Sequence, residues 1–481
     1  MANKITNTEH YAAIANAIRR KNGETDTYTP AEMADAIGRI PKGGGGASEN
    51  DVNFYDYDGS IVASYTAAQF AALEEMPENP DHTDDGLTAQ GWNWSLANAK
   101  AYVAKYGKLN VGQMYVPTDG KTHVFINIPE DDPSYETTLY FGHTAASGQT
   151  VIDWGDGSPT ETASGSSAAE HSHTYTTPGR YEVTLDTTTG VISVIGTNDS
   201  RTGTHFSGSG TYARNLTRIE EIRFSTKISI ESSAFASCYA LQNVTIPEGV
   251  TSIRNSAFYY CYALQSVTIP EGVTSIGSSV FQGCYALQNV TIPDSVTSIG
   301  NSTFYYCYNL QSITIPDDVT SIRGSLFNLC CALQSVTIPD GVTSIGSSAF
   351  SSCYALQSIT IPDSVTSIEI GAFSNCYNLQ SVTIPDGVSS IGISVFSYCQ
   401  NLQSITIPDS VTSIGSYAFR GCYSIHAYHL ESTTPPKLSN TNAFNDISTD
   451  TAIYVPAASL QAYKTASNWS PYADRMVAEP E

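Results

Sequence analysis

The sequence predicts a multidomain, mainly β protein with short helices, and its largest part is a stacked-repeat solenoid. Nine phenylalanines, Phe235, Phe258, Phe281, Phe304, Phe327, Phe350, Phe373, Phe396 and Phe419, recur every 23 residues, and each has a cysteine three positions later. A fixed period in the twenties marks a supersecondary unit that cannot bury its apolar face alone and stacks on copies of itself. Upstream, residues 151–158 (V-I-D-W-G-D-G-S) hold a tight turn after an apolar strand, and residues 181–185 alternate as a half-buried strand. Nearer the start, capped helical stripes alternate with strand-like runs. The expected order is an N-terminal helical segment (residues 1–42), a Gly-rich linker (43–50), a small α+β module (51–135), a sandwich (136–198), a connector and first cap (199–229), the repeats (230–425) and a C-terminal cap (426–481).

One repeat, residues 264–286, reads L-Q-S-V-T-I-P-E-G-V-T-S-I-G-S-S-V-F-Q-G-C-Y-A. Val267 and Ile269 alternate with Ser266 and Thr268, so one side of a short strand meets the core and the other faces out. Pro270 ends the strand, and Pro270-Glu271-Gly272 is turn chemistry. A second extended piece follows over residues 273–276. Val280, Phe281 and Cys284 fit one helical turn that presses ring and thiol inward. The apolar groups of one repeat do not offset the ordering of its backbone. Only stacking does, so the array requires several copies and a cap at each end.

The motif L-x-x-V/I-T-I-P-D-x-V-T-S-I-x-x-x-A-F-x-x-C resembles the bacterial BspA-type leucine-rich repeats, found on surface adhesins of oral and gut bacteria. It departs from the commonest leucine-rich consensus by holding Pro and Asp just after the strand. The resemblance covers residues 230–425 and implies a binding array.

Acidic residues outnumber basic ones 46 to 22, giving a net charge of −24. That argues against nucleic-acid and anionic-membrane partners, which need a positive surface. Nine of the ten cysteines occupy the same inward slot of the repeat, and Cys331 is the extra one. A column of this kind offers neither a chelating cluster nor a paired geometry, so free buried thiols are expected, with no metal and no cofactor. The opening residues contain no apolar signal core, and no run of 18 apolar residues predicts a membrane helix.

In residues 1–42, Tyr11, Ile14 and Ile18 share one helical face, and Thr29-Pro30-Ala31-Glu32 opens a second helix with a cap, a proline and a capping-box glutamate. This opening is similar to the N-terminal segments of tail and fibre proteins of phages that infect gut Firmicutes, which implies attachment to other virion proteins. A plain helical hairpin is the alternative. In the module, strand-like residues 52–65 lead to a helix over 69–73 and another over 96–106. Trp92 and Trp94 are read as core or interface before sugar-stacking rings. The sandwich motifs, including the stretch H-T-Y-T-T-P-G-R-Y-E-V-T-L, resemble the PKD family of immunoglobulin-like domains. Asp153 and Asp156 there are read as turn formers, since two carboxylates fall short of a calcium shell. His171-x-His173 is the one histidine pair at ligand spacing and lies in a sandwich loop. At the far end, Pro435-Pro436, Phe444 and a helix over 457–466 suit a terminal cap.

The repeats differ mainly just after each phenylalanine, and a tyrosine follows most cysteines. Tyrosine with Ser, Asn and Gly gives contact area at low entropy cost, as recognition surfaces do. The candidate ligand-binding residues are therefore Tyr239, Tyr259, Tyr260, Tyr262, Tyr285, Tyr305, Tyr306, Tyr308, Tyr354, Tyr377 and Tyr398, unless these rings only pack on one another. Gln and Thr columns on the strand, and the acids after each proline from Glu248 and Glu271 to Asp294, Asp317, Asp340, Asp363, Asp386 and Asp409, read first as ladder and turn formers. No nucleophile elbow, zinc helix or phosphate loop appears, and no catalytic residue is assigned. The combined expectation is a non-enzymatic, homo-oligomeric virion tail protein, made in the host cytoplasm, that grips a host cell-surface glycan or protein without membrane insertion. A bacterial surface adhesin is the alternative, and a tail-borne polysaccharide depolymerase a third reading.

Overall fold

The computed structural model describes residues 51–56, 59–128, 130, 136–167, 169–195, 219–226 and 228–479. The helical segment expected over residues 1–42, its linker and most of the connector lie outside the described residues. The chain divides into two compact units, one of residues 42–300 and one containing residues 301–481.

The first unit opens with a four-stranded sheet. β1 (Val52–Tyr55) and β2 (Ile61–Tyr65) pair antiparallel, β4 (Leu109–Pro117) runs parallel to β1, and β3 (Leu87–Trp92) closes the order β2-β1-β4-β3. Helix α1 (Ala67–Ala71) starts on a Thr66–Gln69 capping box, two residues before the position expected. Helix α2 (Leu96–Tyr106) has the predicted bounds: the Ser95 hydroxyl accepts from the Asn98 amide, and Gly107 at φ +83° ends it. Phe54, Phe70, Trp92, Trp94, Tyr102 and Val111 are buried together, so both tryptophans belong to packed surface.

The next strands form two sheets. β5 (Thr122–Ile128), β10 (Gly179–Thr189), β7 (Gln149–Asp153) and β8 (Glu161–Ser164) make one; β11 (Ile192–Ile195), β6 (Glu136–His143) and β9 (Ala169–Thr174) make the other. The sandwich expected to start at residue 136 would leave β5 out, whereas the sheet that holds β10 includes β5. Val124, Ile126 and Ile128 alternate inward and are buried, and β5 pairs along β10 from Ile128↔Gly179 to Thr122↔Leu185. β12 (Ile219–Arg223) then pairs antiparallel with β5 and parallel with the repeat strand Asn243–Thr245, which continues to Ser266–Thr268 and Asn289–Thr291. The array therefore has no open edge at its start, because the sandwich sheet runs directly into it.

Each repeat carries two short parallel strands, the second only two residues long, as in Ser252–Ile253, Ser275–Ile276 and Ser298–Ile299. The helical turn expected around each phenylalanine is absent. Two successive turns replace it, with positive φ two residues before the ring and two after, at Ser256 (+59°) and Tyr260 (+59°) around Phe258. The i, i+1, i+4 spacing fits both conformations, so it could not separate them. Left-handed residues on either side turn the amides along the stack: Ser256, Phe258 and Tyr260 donate to the carbonyls of Ser278, Val280 and Gln282 in the next repeat. Amides flanking the strands point the other way, Thr274 to Thr251, Gly277 to Ile253 and Gln288 to Gln265.

In the second unit the same ladders run from Ser321–Ile322 through Ser344–Ile345, Ser367–Ile368, Ser390–Ile391 and Ser413–Ile414 to Lys437–Leu438. The rings of Phe304, Phe327, Phe350, Phe373, Phe396, Phe419 and Phe444 stack with centroids 5.3–5.7 Å apart. The end is closed as expected. Strands Ser404–Ile407, Ala427–Leu430, Ala452–Val455 and Met476–Ala478 form a parallel sheet, and helix α3 (Leu460–Thr465) lies beyond a short 3₁₀ turn. Trp469, fully buried, donates its indole N–H to the Pro436 carbonyl at 2.8 Å.

Replacing Phe350 with Ala should lower the unfolding free energy by about 3–5 kcal/mol in a urea titration, whereas Phe350→Leu, which keeps most of the volume, should cost well under half of that. His82 supplies a second test. Its Nε2 lies 2.7 Å from Asp56 and its Nδ1 2.9 Å from Asp85. Burial lowers the imidazolium pKa, but the hydrogen bonds and charges of Asp56 and Asp85 outweigh it and leave the pKa raised. A raised folded-state value makes this contribution complete below about pH 6.5, the ordinary histidine value, and lost as pH rises through the folded pKa. Wild-type stability should therefore fall relative to His82→Gln as pH is raised from about 6 to about 9, measured as the difference between two urea midpoint series.

Candidate functional site

Two surfaces of the repeats are distinct in chemistry: the ridge of turns that carries the tyrosines, and the outward side of the first strand. On the ridge, the residue after each cysteine sits one rung above its equivalent, so like rings fall face to face. Tyr239, Tyr262 and Tyr285 stack at 4.7 Å with ring planes within 10°, and Tyr354 and Tyr377 at 4.9 Å within 1°. Tyr259 packs on Tyr260 at 4.1 Å and Tyr305 on Tyr306 at 4.0 Å. Tyr260, Tyr285 and Tyr308 are only 8%, 8% and 4% exposed. Tyr239, Tyr259, Tyr262, Tyr305, Tyr306, Tyr354, Tyr377 and Tyr398 are half-buried. Burial pushes the Tyr262 phenol up to about 12, so its hydroxyl stays a neutral donor and acceptor.

Part of the variation along this ridge has a packing cause. Gly283 and Gly421 sit at φ +77° and +70°, and a Cβ at either would overlap the ring of Tyr260 or Tyr398 in the preceding repeat. At these two rungs glycine leaves room for the ring of the rung before, whereas Tyr306 is followed by Leu329. That coupling is visible in the sequence as Tyr260 followed by Gly283, and Tyr398 followed by Gly421. Two further apolar features are exposed on the surface. Ile370 and Ile393, in successive repeats, are 54% and 45% exposed, and Tyr423, in the same column as Tyr239 and Tyr377, is 51% exposed.

The cysteines behind the ridge are buried and free. Their thiols donate to the phenylalanine carbonyl of the preceding rung, Cys261 to Phe235, Cys353 to Phe327 and Cys399 to Phe373 at 3.2–3.3 Å. Burial pushes the thiols of Cys238, Cys376 and Cys422 up to about 12. Among the described residues no group of three or more His, Cys, Asp or Glu side chains is placed to hold a metal, and no helix is long and apolar enough to cross a membrane. His171 and His173 do not converge. His171 meets Glu161 at 2.6 Å, and His173 meets Asp156 at 2.8 Å while stacking on Trp154 at 5.1 Å. Asp153 and Asp156 each accept an amide two residues on, at 3.0 Å, as turn formers do. Burial opposes ionisation of Asp156, but hydrogen bonds from Ser158 and His173 hold its carboxyl at about 2.

On the strand side, the first unit carries a contact that spans nearly 200 residues of sequence. Asn93 Nδ2 donates to the Ile269 carbonyl at 3.2 Å, and Trp94 Nε1 to the Ile292 carbonyl at 2.9 Å. Asn98 donates to the Asp294 carboxylate, and the Glu248 amide to Gln90 Oε1 at 3.3 Å. β4 comes down on the threonine ladder at Gly112, where a Cβ would overlap the hydroxyls of Thr268 and Thr291. Thr245 and Thr291 are buried there, 8% and 2% exposed. In the second unit Thr314 is buried, 6% exposed, and Thr337 half-buried, and the column is open beyond them: Thr360, Thr383 and Thr406 are exposed, as are Gln357, Gln380, Gln403 and Asp340, Asp363, Asp386 and Asp409. The sequence held no local sign of this docking, because neither partner changes its own periodicity.

The sequence profile of the BspA type leucine-rich repeat region matches residues 209–331 and 325–451, in six copies and over just more than half of the chain. Among solved structures, a leucine-rich repeat protein of T. pallidum is 28% identical, over 38% of this chain and 84% of that one, at a TM-score of 0.31. A leucine-rich cell surface protein of Faecalibacterium prausnitzii is 26% identical over 55% and 89%, at 0.28, and a leucine-rich repeat protein of Bacteroides ovatus 24% over 64% and 90%, at 0.33. These superpositions are too loose to carry argument. No curated protein matches the chain. The match does not reach residues 1–42, so the expected attachment to virion proteins stands on a resemblance alone, as does the PKD-like reading of the sandwich.

The native chain should give no reaction with Ellman's reagent at about pH 8, since a thiol at about 12 is thiolate in roughly one part in 10⁴ and is also shielded. All ten cysteines should react once the chain is unfolded in guanidinium. Early stoichiometric release of absorbance from the native protein would contradict the hydrogen-bonded column.

Proposed function

Because the chain belongs to the BspA-type leucine-rich repeat family, we propose that it is a non-enzymatic bacterial surface adhesin that binds a host cell-surface glycan or protein by multipoint contact along its repeats. The observation that carries this reading is the tyrosine ridge. Its rings stack on one another, Tyr262 between Tyr239 and Tyr285 and Tyr354 on Tyr377, with Cys331 and Gln400 interrupting the column. A ligand meeting such a row orders nothing in the protein, so little of its contact energy is lost to side-chain entropy. Many equivalent weak contacts then act together.

The half-buried rings of Tyr239, Tyr259, Tyr305, Tyr354 and Tyr377 are the ligand-facing members. Tyr260, Tyr285 and Tyr308 act beneath them by fixing ring orientation.

Replacing Tyr259, Tyr305 and Tyr354 together with Ser should weaken binding of the full chain to epithelial cells and to a glycan array at least tenfold. The melting temperature should shift by only a few degrees, as expected for about 1 kcal/mol or less. Unaltered binding by a folded triple variant would remove the ridge as the site.

A further inference from the structure

The strand face of the repeats shows how it is occupied, because the chain occupies part of it itself. Residues 90–98 lie across the face at repeats that carry Glu248, Ile269, Ile292 and Asp294. Neighbouring side-chain N–H groups meet two kinds of acceptor there: the isoleucine carbonyl just before a proline, and the carboxylate just after it. Both acceptors recur in every repeat. In the second unit they are Ile338, Ile361 and Ile384 before their prolines, and Asp340, Asp363 and Asp386 after them. The threonines between, Thr360 and Thr383, are exposed, in contrast with the covered Thr291.

We propose that the strand face over residues 334–409 is a docking surface for a separate protein that presents neighbouring indole and carboxamide N–H donors on a positively charged segment. Donor chemistry follows from the seated module, whose Asn93, Trp94 and Asn98 make the corresponding contacts. The charge follows from the face. Between Arg323 and Arg420 the sequence contains no Lys, Arg or His, while it contains Asp340, Asp363, Glu369, Asp386 and Asp409. The seated segment carries no acidic residue over residues 90–105, and its two lysines, Lys100 on the Leu73 carbonyl and Lys105 over the Tyr106 ring, add positive charge beside the face. A second copy of the chain does not fit as the occupant. Its own module is already seated, and only residues 118–121 join β4 to β5, too short a tether to carry the module elsewhere.

The test uses the full chain and a fluorescein-labelled peptide with the sequence of residues 90–105 as probe, read by anisotropy at low and physiological salt. The expected result is saturable binding that weakens with salt and falls at least tenfold in the Asp363→Lys, Asp386→Lys double variant. Both sites are exposed, so the fold is checked by circular dichroism and an unchanged melting temperature. A peptide with Asn93→Ala and Trp94→Phe should bind at least fivefold more weakly to the wild type. The control pair Glu74→Lys, Glu75→Lys makes the same charge change elsewhere and should leave binding intact. Equal loss in that control would assign the effect to overall charge and overturn the proposal, as would absence of saturable binding or indifference to the double variant. The tyrosine triple variant should bind the probe normally, which separates this face from the adhesive ridge.

Discussion

The structure depends on in-register stacking at a fixed interval of 23 residues. Once each rung hydrogen-bonds to the next through backbone groups on both the strand and turn sides, a given position in one repeat lies directly over the same position in its neighbour. Inward positions must then accept the same side chain many times over. Phenylalanine meets that demand because parallel-displaced rings attract. Cysteine meets it because a small apolar side chain with one weak donor fills the space below the ring and caps a carbonyl of the rung before. The same requirement explains why the two ends look unlike the middle: β5 and β12 close one, and Trp469, Tyr463 and Phe444 close the other.

Constraint inside leaves two outer surfaces with different freedom. The turn ridge is crowded, so its residues answer to each other as well as to any ligand, and the Tyr260–Gly283 and Tyr398–Gly421 couples are examples. The strand face is uncrowded where nothing sits on it. Its Gln and Thr columns recur at the period of the backbone ladder, and the isoleucine carbonyls and carboxylates beside them recur as repeated acceptors. Adhesion by the ridge and docking on the strand face are compatible, since they lie on different sides of the rung.

The period, the inward columns, the strand after each Leu-Gln pair, helix α2 and the terminal cap were all legible in the sequence. Each is set by side chains within one repeat or one helix. What was not legible came from longer range or from backbone conformation. Phe258 and Cys261 sit where a helical turn would put them, yet left-handed Ser256 and Tyr260 make two turns instead; a serine two residues before nearly every phenylalanine was the available hint. β5 reads as part of the module until its alternation is matched with that of β10. Trp94 was legible as core or interface, but its partner, the Ile292 carbonyl, is a backbone atom that no residue type announces. The ridge was chosen for its variation and its tyrosine content, and the stacking of Tyr262 between Tyr239 and Tyr285 shows that composition alone does not separate a contact surface from a packed one.

The opposed direction of the amides has an electrical consequence. In an α-helix every peptide dipole adds, and charge accumulates at the ends. Here the turn-side N–H groups of Ser256, Phe258 and Tyr260 point toward the next rung, while those of Thr274, Gly277 and Gln288 point toward the one before. The axial moments oppose one another, so adding rungs builds less field at the ends than adding turns to an α-helix does. Growth or loss of whole repeats then bears mainly on the hydrogen bonds that the end rungs leave to satisfy.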